Sequence, residues 1–110
     1  MSNVPNRAPN VISASGAVPP GSGLFHITKA GVAALTLAAP DPDGQSMLFI
    51  DEGGHAHTIV IAAVGSPPTA GLNGGGVTTA TFDGTKGSSI ELISRNGSWW
   101  SSVLNGVALS

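Results

Sequence analysis

The stretch SIELISRNGSWWSSVL, from Ser89 to Leu104, decides the fold. At its centre Asn96-Gly97 is the strongest short hairpin signal, because both residues of a two-residue type I′ turn need positive φ. Such a turn sets the register: Arg95 opposes Ser98, Ser94 opposes Trp99, Ile93 opposes Trp100, and Ile90 opposes Val103. Side chains alternate across a strand, so Ile90, Leu92, Trp99 and Val103 share a core face. Glu91, Ile93, Arg95, Trp100 and Ser102 share the other. That second face sets Trp100 beside Ile93 where water would otherwise lie. Tryptophan is a typical interface anchor, which makes Trp100 and Ile93 candidates for contact between subunits. The alternative is that Trp100 packs beneath the N-terminal segment or a second sheet of its own subunit.

Upstream, short extended runs are broken by turn chemistry. Leu24–Lys29, Val32–Ala38, Met47–Asp51, His57–Ala63 and Val77–Phe82 read as strands. Between them lie Pro40-Asp41-Pro42-Asp43-Gly44, Glu52-Gly53-Gly54, a loop from Gly65 to Gly76, and turns at Asp83-Gly84 and Lys86-Gly87. Ala30–Ala39 is rich in alanine, but Thr36, the flanking Gly31 and Pro40, and its shortness argue against a helix. The reading is an all-β fold, an antiparallel sandwich or jelly-roll-like barrel of roughly six to eight short strands.

The chain has 110 residues, one domain by size. Only 9% of them are charged, against an ordinary share near ~25%, while 41% are apolar. A surface so thinly charged is poorly protected against association, and a partner is expected to cover part of it. The four cations, Arg7, Lys29, Lys86 and Arg95, are scattered, and the net charge is −2. Direct nucleic-acid binding and an electrostatic membrane anchor are therefore not expected. Cysteine is absent, so thiolate chemistry and disulfides do not arise. Met1–Ser15 has no apolar core of a secretion signal, and no run reaches the ~20 apolar residues of a membrane span. Synthesis in a cytoplasm is expected.

Residues 1–23 carry Pro5, Pro9, Pro19 and Pro20 among Asn, Ser and Gly, which favours extended chain. They read as an extended N-terminal arm ahead of a β-domain over residues 24–110. Val4, Val11 and Ile12 are apolar points that suit docking on a neighbouring subunit or lattice, the alternative being a disordered tail.

Several of these segments, taken in order, resemble a pattern in phage virion proteins. GVAALTLAAP (Gly31–Pro40) is similar to its strand ending in Leu-x-Leu with a proline turn, which leads into Gly44–Ile50. HAHTIV (His55–Val60) resembles its next strand, and GLNGG (Gly71–Gly75) with ATFDG (Ala80–Gly84) its glycine-rich loop and following strand. SIELI (Ser89–Ile93) with RNGSWW (Arg95–Trp100) is similar to its closing hairpin, in which a tyrosine usually stands where this chain has Trp100. The likeness spans roughly residues 12–104, and the order of the elements carries it. It implies β-structure and a virion role as a homo-oligomer, with a trimer favoured and a dimer possible. Such domains occur in head decoration (cement) proteins and in tail fibre or spike proteins. The short chain, opening on Met1 and lacking long fibre repeats, favours decoration. The partners implied are the major capsid protein and further copies of the chain, on the outer capsid surface of the virion. The alternative is a fibre or spike domain that binds a host surface glycan.

The catalytic and metal-binding patterns of the chain are incomplete. His55 and His57 share a strand face just after Asp51 and Glu52, yet a zinc site needs three or four converging ligands. A hydrogen-bonding role is favoured, and His26 stands alone in its strand. Asp41-Pro-Asp-Gly44 looks like the start of a calcium loop, but Ser46 replaces the required glycine and Met47–Ile50 is a strand. Gly71–Gly76 and Gly84–Ser89 lack the lysine ending of a phosphate loop. No nucleophile elbow is present, and Asp51, Glu52, Asp83 and Glu91 would make a glycosidase or lectin site only if the fold brought two of them around a cleft. No enzyme activity, cofactor or metal is expected.

Overall fold

A computed structural model describes residues 10–19, 21–38, 44–61, 72, 77–95 and 98–110. Among the described residues ten strands form two five-stranded sheets. They are β1 (Asn10–Ile12), β2 (Gly16–Ala17), β3 (Gly23–Ile27), β4 (Ala34–Leu37), β5 (Ser46–Asp51), β6 (Thr58–Ile61), β7 (Thr79–Phe82), β8 (Ser89–Arg95), β9 (Ser98–Asn105) and β10 (Val107–Leu109). Sheet one runs β1-β3-β5-β8-β9 and sheet two β2-β4-β6-β7-β10.

The fold is all-β, two packed sheets, and each sheet is mixed rather than antiparallel. β1, β3 and β5 are parallel to one another, and so are β2, β4 and β6. β8 and β9 then join sheet one antiparallel, as β7 and β10 join sheet two. The first six strands alternate between the sheets, so the chain winds around the core. Leu24 pairs with Leu48 and Ala34 with Thr58, each one turn of 24 residues further on. Parallel neighbours need a long crossover, and here a strand of the opposite sheet supplies it. β3 and β4, consecutive in the chain, therefore lie in different sheets. Among the described strands each sheet has two terminal members, so the sheets form a sandwich and not a closed, jelly-roll-like barrel.

Alternation explains the burial. Phe25, Ile27, Met47, Phe49, Ile90, Leu92 and Trp99 point inward from sheet one. Leu35, Leu37, Ile59, Ile61, Ala80 and Phe82 meet them from sheet two in a single cluster. The rings of Phe25 and Phe49 stack at 5.0 Å, as expected of cross-strand neighbours. Where β9 turns into β10, Gly106 has φ 71°, and a Cβ there would come within 2.9 Å of the Asp83 carboxylate. Only glycine fits that corner.

The expected arm is part of the sandwich from Asn10 onward. β1 and β2 pair in parallel with β3 and β4, and Ile12 and Val18 are buried in the chain's own core. The proline at position 19 did not prevent this, because short edge strands tolerate proline beside them.

Candidate interaction surface

The outward face of sheet one is largely apolar. Register sets its rows: Val11, His26, Ile50 and Ser89 in one, Leu24, Leu48, Glu91 and Val103 in the next, then Ser46, Ile93 and Trp100. Trp100 is 40% exposed, Ile93 38%, Val103 48% and Val11 62%. Leu24, Leu48 and Ile50 are half-buried by these neighbours. Exposed apolar area costs roughly 25 cal/mol per Å² relative to burial, so a contiguous patch of this kind favours being covered.

The hairpin builds one end of the patch. Arg95 opposes Ser98, Ser94 opposes Trp99 and Ile93 opposes Trp100, as the turn dictates, although Asn96 and Gly97 themselves lie outside the described residues. The Trp100 indole Nε1–H donates to the Arg95 carbonyl at 3.0 Å, which holds the ring across its own hairpin. Ile93, Arg95, Trp100 and Ser102 line a shallow depression beside it. Trp99, on the opposite face, is buried and donates to the Ala38 carbonyl at 3.0 Å. Trp100 is thus neither under the second sheet nor under the described part of the N-terminal segment.

A bulge between Glu91 and Leu92 corrects the rest of the expected register. Ile90 opposes Leu104, and Val103 opposes Glu91. One extra residue in β9 swaps faces beyond it, so Val103 moves from the expected core face to the outside. A bulge inside a serine-rich strand leaves little mark in the sequence.

The three arm candidates separate. Val4 lies outside the described residues, Val11 is exposed on β1, and Ile12 is buried. Ile12 is therefore occupied by its own core and has no surface to offer a neighbour. Val11 and Trp100 sit on strands at opposite edges of sheet one.

Several titratable groups are held by hydrogen bonds within the fold. Asp51 and His57 are fully buried, at 0% exposure. The Ala33 N–H donates to His57 Nδ1 at 2.9 Å, so that nitrogen carries no proton and Nε2–H donates to Asp51 at 3.0 Å. Asp51 also accepts from the Gly54 and His55 backbone N–H groups. The pair ties the end of β5 to the residues entering β4 and β6. The His55 ring meets His57 edge-on at 5.9 Å, and among the described residues no group of three or more His, Cys, Asp or Glu could hold a metal ion. His26 Nδ1 contacts Glu52 Oε2 on the outward face. Glu91 accepts from the hydroxyls of Ser46 and Ser102. The Asp83 carboxyl lies below its usual value because the Thr85 N–H and then the Ser88 hydroxyl donate to it. Ser88 is thereby a turn residue within the Gly84–Ser89 segment. Asp41, Asp43, Gly71 and residues 73–76 lie outside the described residues.

No protein-family model and no curated protein matches this chain.

Proposed function

We propose that this chain is a structural virion protein, a phage head decoration (cement) protein that binds and reinforces the outer capsid lattice as a homo-oligomer. The observation that carries the reading is the contiguous apolar outward face of sheet one, with Trp100 and Ile93 at its β8–β9 end. A folded chain that buries its core and still presents such a patch is shaped for association. The Trp100–Ile93 region serves contact between copies. Val11, at the other edge of the sheet, together with Val4, serves contact with the major capsid protein. Many weak contacts repeated by lattice symmetry supply the avidity, and no catalytic step is involved. The ordered similarity of segments 31–40, 44–50, 55–60 and 89–100 to virion β-domains supports the same role.

Co-sedimentation with purified empty phage shells tests it. Saturable binding at a fixed number of copies per lattice unit is expected, with a higher shell-melting temperature. Binding confined to tails or host glycan would replace this reading with the fibre one.

A further inference from the structure

We infer that two copies of this chain pair face to face through the outward side of sheet one, about a two-fold axis through the row Ser46–Ile93–Trp100. The inference rests on the homo-oligomer proposed above and specifies its symmetry. Outward along β8 stand Glu91, Ile93 and Arg95, an acid and a base on either side of an apolar residue. At about 3.4 Å per residue each charge lies about 7 Å from Ile93. A two-fold axis in the interface plane, across the strands at Ile93, reverses the second β8. Ile93 then meets Ile93, Trp100 meets Trp100, and each Glu91 meets the other copy's Arg95. A self-complementary patch of this kind is what an isologous contact requires.

The local chemistry leaves both charges available. Among the described residues the Arg95 guanidinium is in no ion pair, and neither is Glu91. Among the described residues Glu91 accepts from Ser46 and Ser102, which leaves its carboxylate lone pairs for a guanidinium fork. Trp100 is already fixed by its bond to the Arg95 carbonyl, so little rotamer freedom is lost on pairing. The occupant is a second copy rather than an unrelated protein because the pattern complements itself.

The size of the face sets the strength. With the axis at Ile93, the rows from Glu91 to Arg95 across β5, β8 and β9 overlap, three strands about 4.8 Å apart over some five residues, on the order of 250 Å² per copy. Two copies bury about 500 Å², below the about 1,200 Å² of a standard interface, so pairing is weak and concentration-dependent. A trimer about this face cannot place Glu91 on Arg95 in the same way.

Sedimentation equilibrium of the full chain, without shells, tests the pairing. A monomer–dimer equilibrium is expected. Arg95→Glu and Glu91→Lys should each raise its dissociation constant about tenfold or more. The two together should bring it back to within about threefold, and an equimolar mixture of the two single variants should pair as heterodimers. Ile93→Lys, which sets like charges on the axis, should leave only monomer with an unchanged melting temperature; being exposed, it guards against a folding defect in Glu91→Lys. A trimer, a monomer at every concentration, or a double variant no better than its parents overturns the inference. A monomer that still coats shells sinks the pairing but not the decoration role; a dimer that ignores shells does the reverse.

Discussion

Sheets one and two have the same plan: three parallel strands followed by two antiparallel ones, wound from one chain around one core. Their inward faces are interchangeable in character. Their outward faces are not. Sheet one shows Val11, Leu24, Leu48, Ile50, Ile93, Trp100 and Val103. Sheet two pairs Ala17, Thr36, Val60 and Thr79 in one row and Ala34, Thr58, Thr81 and Ala108 in the next. Threonine suits a pleated strand while offering a hydroxyl to water, so sheet two is finished as a wet surface and sheet one is not. The asymmetry owes nothing to topology, and it supports the proposed association through sheet one.

The shared core gives the largest expected effects. Phe49→Ala in sheet one and Ile59→Ala in sheet two should each cost about 2–5 kcal/mol, and each variant should melt in a single transition by calorimetry. Two separate transitions would show that the sheets are independent and break the comparison at its root. On the outside the sheets should part company. Trp100→Ala should weaken self-association about tenfold or more while Val60→Ala, of similar exposure on sheet two, leaves it unchanged; sedimentation of both variants decides. Equal effects would mean that apolar exposure alone, rather than the patch, drives contact.

The smallest effect belongs to the corner that joins the sheets. Asp83 is held below its ordinary value of 3.8, so it favours the folded state above that pH and loses this contribution as pH falls through the depressed folded value. Asp83→Asn should remove that part of the acid dependence of the melting temperature below about pH 4 and change little at neutrality.

What could be read in advance follows the range of the interactions. The Arg95–Ser98 hairpin and the outward placing of Ile93 and Trp100 are set by neighbours a few residues apart, so local pattern suffices. Winding was not legible, since alternation distinguishes inside from outside but carries no strand direction. β1 and β2 were hidden by their brevity and by the surrounding prolines, although Ile12 and Val18 are core residues. The Asp51–His57 bond joins residues six apart whose third partner, Ala33, is far upstream, and only the crossing of the chain between sheets makes that contact.

The alternation of strands between the two sheets has a consequence for synthesis. As the chain leaves a ribosome, β1 must wait for β3, and β2 for β4, before either finds a neighbour. The β8–β9 ribbon, made almost last, has its two partners separated by the fewest residues of any pair among the described strands. Maturation should therefore run backwards relative to translation: the final segment forms fastest and gives the earlier ones a surface on which to settle.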